Sequence, residues 1–168
     1  MKRVISLILS LIIIVCIFAS CSKSESVTFY YPVSDNAQYL DPQIADSTAE
    51  RIVSANCFEG LVRLGENGDI QPGAAEKTDV SADGLTYTFT LRSDAKWHVT
   101  NTAQKKLGDK LGENFAPSVT ANDFVFALRR AVDPTTQSPD ASLFNSIKNA
   151  SKITDGQMNP QELGVRAV

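Results

Sequence analysis

The fold is decided by residues 83–91, whose sequence DGLTYTFTL alternates apolar side chains with threonines from Leu85 onward. Alternation with a period of two is typical of a strand that buries one face. The Asp83-Gly84 pair is a hairpin-turn signal, so this strand is expected to pair with a segment near residues 76–80. The pattern predicts that one face of the hairpin contributes three side chains to a core: Tyr87, Phe89 and Leu91.

A helix is predicted before this hairpin, over residues 47–62. Its apolar residues recur mostly at spacings of three and four, which places them on one helical face. Ser47 or Thr48 is available as the N-cap, and Glu50 lies in the first turn, where a carboxylate is favourable. We expect Gly60 to end the helix and its apolar face to pack against the core.

A second helix is predicted after the hairpin, over residues 121–132. Thr120 and Asp123 approximate a capping box at its start, and the Asp133-Pro134 pair provides a stop. The apolar residues at helical spacing are expected to form an inward stripe: Phe124, Ala127, Leu128 and Ala131.

The composition is that of a globular domain. The chain has 168 residues, of which 43% are hydrophobic and 21% charged. Its formal net charge is −3 at pH 7, and removal of Lys2 and Arg3 with a leader would make it more negative. Nucleic-acid binding needs clustered lysine and arginine to neutralise phosphates, so the charge disfavours nucleic acid as a partner.

The first part of the chain has the pattern of an export signal. The cationic pair Lys2-Arg3 precedes an apolar run from Val4 to Ala19. This run is shorter than the roughly 20 residues that a spanning helix requires, so a permanent membrane helix is the less favoured alternative. Residues 1–20 are therefore interpreted as a signal peptide.

Cys21 is the candidate attachment site for a lipid. The preceding residues, Phe18-Ala19-Ser20, resemble the lipobox of bacterial lipoproteins, although Phe18 stands where an aliphatic residue is usual. The resemblance implies that Cys21 carries a diacylglycerol thioether; an ordinary cleavage site followed by an unmodified cysteine is the alternative. Residues 21–26 would then be the lipidated cysteine with a short polar tether. The β-branched and aromatic residues 27–31 predict a first strand.

The sequence contains few candidate catalytic residues. A nucleophile needs a positioned base, and His98 is the only histidine; we interpret it as a solvent-facing or satisfied side chain. Cys57 would be the one unmodified thiol of the mature chain and is expected to be a small buried hydrophobe. Because neither metal-ligand spacing nor a phosphate-binding glycine loop is present, the sequence predicts no catalytic residue, no metal and no cofactor.

Six short segments, taken in order, carry a resemblance to a known family. They are residues 40–42 (LDP), 58–62 (FEGLV), 72–76 (PGAAE), 83–92 (DGLTYTFTLR), 95–97 (AKW) and 119–126 (VTANDFVF). In this order and spacing they resemble the N-terminal third of the oligopeptide and dipeptide substrate-binding proteins of ABC importers, the extracellular solute-binding family 5. The resemblance covers about residues 27–148.

The resemblance implies an α/β fold, with α+β character in a smaller subdomain, that forms a partial lobe of a two-lobed, type II-like periplasmic-binding-protein fold. Family members are much longer and close two lobes over a ligand, so an N-terminal fragment is expected here. Residues 27–45 would be the first strand region of lobe I, residues 46–150 its smaller subdomain, and residues 151–168 a truncated return toward that lobe. Residues 22–168 alone are expected to bind peptides very weakly or not at all.

The resemblance also implies where ligand contacts lie. In the family the segment after Leu-Asp-Pro meets the ligand, which here corresponds to Ala45, Asp46, Ser47 and Thr48. Main-chain hydrogen bonds of the strand-addition kind suit peptides because they do not depend on the side chains of the ligand. Helix capping by Ser47 or Thr48 is at least as well supported, and the two roles are compatible.

Two departures from the family pattern affect what can be carried over. Relatives usually run from the tryptophan through a short turn into Val-Thr-Ala, whereas residues 98–118 contain an insertion with no assigned role. Relatives that bind oligopeptides often have an aromatic ligand-contacting residue after Ser-Pro, but Asp140 follows Ser138-Pro139 here. A preference for oligopeptides is therefore not implied.

The function implied by the resemblance is the extracytoplasmic, non-enzymatic substrate-binding component of an ABC importer that captures peptides. Its expected partners are a peptide ligand, the permease subunits and, through the lipid, the outer side of a membrane, in the periplasm or at the cell surface; it is expected to be a monomer. One alternative is a peptide-sensing or pheromone-binding surface lipoprotein without its own permease. Another is a secreted hydrolase, which the lone His98 disfavours.

Overall fold

The computed structural model describes residues 28, 30–33, 35–100, 102–103, 105–106 and 118–168. They fall in two compact units, residues 1–32 and 33–168, and every element below belongs to the second unit. In the first unit Thr28, Tyr30 and Tyr31 lie in no strand, so the predicted first strand is wrong at these positions; Val27 and Phe29 lie outside the described residues.

Helix α1, Thr48–Cys57, begins after the N-cap Ser47, one of the two residues predicted for that role. A reciprocal capping box fixes this start, because the Glu50 N–H donates to Ser47 Oγ at 3.3 Å and the Ser47 N–H donates to Glu50 Oε2 at 3.1 Å. The backbone becomes extended at Phe58, with φ −120° and ψ 144°. The helix therefore ends before Gly60, and that predicted end is wrong.

The apolar face of α1 is less buried than its spacing predicts. Ala49 and Glu50 are the buried residues of the helix, Ile52 and Val53 are half-buried, and Cys57 is exposed. The expectations of a core-facing stripe and a buried thiol are therefore wrong. Helical spacing shows which side chains share a face, but burial depends on what covers that face.

Two antiparallel hairpins follow α1. Strand β1, Val62–Leu64, pairs with β2, Ile70–Pro72, and strand β3, Ala75–Val80, pairs with β4, Tyr87–Leu91. The second hairpin confirms the pairing predicted from Asp83-Gly84, and the glycine adopts a left-handed φ of 71° in the turn, where a Cβ would be strained.

Burial along β4 differs from the prediction. Phe89 and Leu91 are half-buried, but Tyr87 on the same face is 61% exposed. Thr88 and Thr90 are exposed, as expected. A two-stranded hairpin buries only what another element covers, so the alternation identified the inner face correctly and overestimated how much of it is buried.

The hairpins are joined by a close backbone approach at Gly73. The Ala74 N–H donates to the Gly60 carbonyl at 2.9 Å. A Cβ built on Gly73 would lie 2.5 Å from that carbonyl oxygen, so the contact requires glycine. It brings together two of the six segments quoted above, residues 58–62 and 72–76.

The two ends of the predicted insertion lie side by side. Lys96 and Ser118 form an antiparallel bridge, and the Val119 N–H donates to the Ala95 carbonyl at 2.9 Å. The residues that flank the insertion are therefore neighbours; residues 101, 104 and 107–117 lie outside the described residues, and the insertion itself stays a prediction.

Helix α2, Ala121–Val132, has the predicted bounds. The Thr120 N–H and Oγ1 donate to Asp123 Oδ2 at 2.7 and 2.9 Å, which confirms the predicted capping box. Its inward stripe is half-buried to buried. The elements that follow are short: the 3₁₀ turns Pro134–Thr136, Ala141–Phe144 and Pro160–Glu162, and helix α3, Ala150–Thr154.

The apolar core of the described chain is best developed in this helical part. We call it the apolar cluster: Val132, Ala150, Ile153 and Leu163, at most 3% exposed. Five half-buried apolar side chains pack against it: Leu128, Phe144, Ile147, Met158 and Val165. Nowhere in the described residues is there a helix long and apolar enough to cross a membrane.

Candidate functional site

The predicted ligand residues 45–48 join an N-terminal loop to helix α1. The Ala45 side chain points into the protein and is 3% exposed. The Asp46 side chain is 83% exposed, and Ser47 and Thr48 are also exposed. The structure therefore places one of the four candidates in the interior and three at the surface.

Glu50 is a buried carboxylate that organises this loop. It is 4% exposed, and its Oε1 accepts the N–H groups of Gln38 and Tyr39, each at 2.9 Å. Its Oε2 accepts those of Asp46 at 3.0 Å and Ser47 at 3.1 Å. The amide donors, led by Tyr39, stabilise the charged form and lower the pKa of Glu50 to about 2. We call residues 38–50, which this carboxylate ties together, the anchored segment.

The contacts of Glu50 decide which groups of residues 45–48 face outward. The backbone N–H groups of Asp46 and Ser47 are engaged by the carboxylate, and Ser47 Oγ accepts the Glu50 N–H. The capping role considered for Ser47 is thus confirmed. A ligand at this surface would meet the Asp46 carboxylate and the Thr48 side chain rather than these two amides.

Arg51 brings Asp140 to the same surface. Its Nη1 and Nη2 donate to the two carboxylate oxygens of Asp140 at 2.7 and 3.3 Å, and Nη2 lies 3.7 Å from Asp46 Oδ1. The residue after Ser138-Pro139 therefore belongs to one charged cluster with a candidate ligand residue. Sequence reasoning noted Asp140 as a departure but missed Arg51, because an arginine on a helix carries no local signal of a distant partner.

Arg130 of α2 also forms an ion pair with the anchored segment. Its guanidinium binds both carboxylate oxygens of Asp41 and donates through Nη1 to Gln43 Oε1 at 2.7 Å. The hydrogen bond from Arg130 is the main reason why the pKa of Asp41 is lowered. Sequence reasoning also missed Arg130, because Asp41 lies 89 positions earlier and no local pattern relates the two residues.

A cleft lies on the α2 side of the fold, and Arg130 is one of the residues that line it. It has a volume of about 420 Å³, and Phe126, Arg129, Asp133 and Gln161 are among its lining residues. None of residues 45–48 lines it. Asp46, Ser47 and Thr48 are thus exposed outside this cleft, while Ala45 is buried.

Comparison with known proteins identifies the family. The family described as bacterial extracellular solute-binding proteins, family 5 Middle, matches residues 69–162. The chain is 42% identical over 130 residues to the periplasmic oligopeptide-binding protein OppA of Haemophilus influenzae, covering 76% of this chain and 21% of that protein. It is 35% identical over 159 residues to the dipeptide-binding protein of Lactococcus lactis subsp. cremoris, covering 95% and 26%.

The solved structures agree with the sequence comparisons. The murein tripeptide binding protein MppA of Escherichia coli superimposes with a TM-score of 0.66 at 40% identity, covering 81% of this chain and 24% of MppA. The expected fold, a partial α/β lobe of a periplasmic binding protein, is confirmed. The chain spans 21% to 26% of the lengths of these relatives.

Proposed function

This chain belongs to family 5 of the bacterial extracellular solute-binding proteins, and we propose that it serves as the extracytoplasmic peptide-capturing component of an ABC importer. The observation that carries the proposal is its similarity, at 40% identity and a TM-score of 0.66, to a murein tripeptide binding protein. The named sequence relatives bind oligopeptides and dipeptides. These relatives are binding proteins, and we extend their non-enzymatic role to this chain.

We propose that the peptide contacts the segment formed by Ala45, Asp46, Ser47 and Thr48, chiefly through the exposed side chains of Asp46 and Thr48. The exposed Asp46 carboxylate and Thr48 side chain supply polar groups at the surface, and the buried Glu50 holds the backbone that carries them. A rigid support of this kind favours binding because less conformational freedom is lost when the ligand docks.

We further propose that the protein acts outside the cytoplasm as a lipid-anchored monomer that delivers peptides to separate permease subunits. Residues 1–20 would be its signal peptide, and Cys21 its lipid attachment site followed by a tether to residue 26. The segment layout given above, with residues 46–150 as a smaller subdomain, is part of the same proposal. Cys21 and the leader lie outside the described residues.

Calorimetry on the mature protein produced from the gene that contains this sequence tests the proposal. With a mixed library of di- to pentapeptides we expect a Kd near 1 μM or lower, which is about 8 kcal/mol of binding free energy. The double change Asp46→Asn with Thr48→Ala should weaken binding, whereas Thr78→Ala on exposed β3 should not. No binding by the unaltered protein would refute the function, and equal binding by all three would refute the site alone.

Transport separates an importer from a peptide sensor. We expect adjacent permease and ATPase genes, and deletion of this gene should abolish uptake of a labelled peptide that the protein binds. Peptide binding with unchanged uptake would instead support the sensing lipoprotein without its own permease.

Lipidation of Cys21 is tested by metabolic labelling. A palmitate analogue should label the unaltered protein and leave Cys21→Ala unlabelled, because the thioether is the first attachment point. Two or more acyl chains suffice for stable anchoring, at about 0.8 kcal/mol per buried CH₂. Equal labelling of both proteins would contradict the assignment.

A further inference from the structure

Arg130 connects the anchored segment to helix α2. Besides its two contacts with the Asp41 carboxylate, it donates to Gln43 Oε1, and Gln43 Nε2 in turn donates to the Ala127 carbonyl at 2.7 Å. The Arg130 and Asp41 side chains are only 35% and 32% exposed. A bidentate arginine-carboxylate pair in partly shielded surroundings fixes orientation as well as distance.

These contacts act on the turn directly before the candidate ligand residues. Asp41 Oδ1 also accepts the Gln43 N–H at 3.0 Å, and the Ile44 N–H donates to the Asp41 carbonyl at 3.2 Å. The next residue, Ala45, is buried. The turn is thus held by Arg130 on one side, and the residues that follow it are held by Glu50 on the other.

We propose that Arg130 is a positioning residue for the ligand-binding segment: it makes no contact with the peptide and holds the turn of residues 41–44 so that Asp46 and Thr48 are presented in one orientation. The inference rests on the proposed function in assigning the ligand to residues 45–48. Asp41 and Gln43 are its immediate partners.

The consequence for binding follows from preorganisation. When the segment is already ordered in the free protein, the ligand does not have to order it, and no affinity is lost. When the ordered state is only a fraction of the free population, the apparent affinity falls by that fraction. Loss of the Arg130 contacts should therefore weaken peptide binding because the segment is less ordered in the free protein. The exposed ion pair between Arg51 and Asp140 would remain intact.

The test compares Arg130→Met with Arg129→Met in the mature protein. Arg129 is the neighbouring residue on α2, and its Nη2 contacts the Gln161 carbonyl at 3.3 Å, away from the anchored segment. We expect Arg130→Met to raise the peptide Kd at least roughly tenfold and to speed amide hydrogen exchange in residues 41–47 by a similar factor, with exchange in α3 unchanged. Arg129→Met should change neither quantity.

Two further variants distinguish positioning from a general loss of structure. Arg130→Lys keeps the charge without the two-pronged geometry and should restore part of the affinity. Asp41→Asn alone should weaken peptide binding. Combined with Arg130→Met it should weaken binding little further, because both changes remove the same contact.

The outcomes separate this inference from the proposed function. Unchanged exchange in residues 41–47 of Arg130→Met, or faster exchange with an unchanged Kd, would overturn the positioning role. An unaltered protein that binds no peptide would overturn the proposed function and the ligand half of the inference with it, while the exchange comparison still decides whether Arg130 anchors the turn.

Discussion

The anchored segment and the apolar cluster are stabilised by different forces. In residues 38–50 the buried apolar side chains are small, Ala45 and Ala49, and the central group is the Glu50 carboxylate. The apolar cluster contains no charged group and is closed to solvent. Hydrogen bonds and ion pairs are directional, whereas apolar burial is not. The surface proposed to meet a ligand is therefore set by directional contacts, and the scaffold beside it by packing.

The largest effect on stability is expected in the apolar cluster. Ile153 is fully buried, at 0% exposure, and Ile153→Ala removes apolar contacts and leaves a cavity. The free energy of unfolding should fall by about 2–5 kcal/mol, measured by urea denaturation at pH 7. Because the change removes volume and no charge, the loss should be nearly the same at pH 7 and pH 4.

Leu143→Ala is the matched control for this change. Leu143 lies in the same helical part of the chain but is 73% exposed, so its truncation should change the free energy of unfolding by no more than about 0.5 kcal/mol. Equal losses for the two variants would contradict the assignment of the core.

A smaller effect, dependent on pH, is expected at Glu50. Its pKa is lowered to about 2 from an ordinary value of 4.5, so the folded state favours the charged form. The resulting stability is fully present above about pH 4.5 and is lost as the pH falls toward 2. Glu50→Gln should lower Tm at pH 7, because the amide keeps one acceptor oxygen but turns its NH2 group toward two of the four backbone N–H donors.

The sign of the pH dependence is the critical measurement at Glu50. The Tm difference between the unaltered protein and Glu50→Gln should shrink as the pH is lowered from 5 to 2, because protonation removes the same charge as the substitution. Glu66→Gln, in the exposed turn between β1 and β2, is the control and should leave the Tm profile unchanged. A Tm difference that is constant with pH would show that the Glu50 charge does not stabilise the anchored segment.

The sequence predicted the contacts that lie close together along the chain. An N-cap at Ser47 or Thr48 and the capping box of Thr120 with Asp123 were predicted, whereas the reciprocal bond between Ser47 and Glu50 was not. The second hairpin is encoded by its own turn. Such contacts depend on local backbone geometry, which spacing and residue type reveal. For the same reason the bounds of α2 were predicted correctly.

The sequence did not predict contacts between distant residues. Arg130 and Asp41 are separated by 89 positions, as are Arg51 and Asp140, and no periodic pattern relates residues so far apart. Helix α3 has 5 residues, too few to show a helical period. The candidate ligand residues came from the family resemblance, and the central role of Glu50, seen in the sequence only as a first-turn acid, required the structure.

The smallest effects are expected in the hairpin of β3 and β4, which has neither a closed core nor a buried charge. Phe89 pairs with Thr78 and is half-buried, whereas Tyr87 pairs with Val80 at the exposed end. Phe89→Ala should cost about 1–2 kcal/mol, less than a fully buried aromatic residue would, and Tyr87→Ala less than about 1 kcal/mol.

Exposure changes along β4, so this strand can be compared with the anchored segment and the apolar cluster. Thr88→Ala, between the two aromatic residues on the outward face, is the control and should change the free energy of unfolding by no more than about 0.5 kcal/mol. If burial alone sets the loss of unfolding free energy, the loss must be larger for the less exposed residue. Urea denaturation should therefore show a larger loss for Phe89→Ala than for Tyr87→Ala. If Tyr87→Ala lowered the free energy of unfolding as much as Ile153→Ala, the inner face of β4 would have to be covered in solution. The alternation of residues 85–91, which predicts a buried Tyr87, would then describe the burial better than the exposed hairpin does.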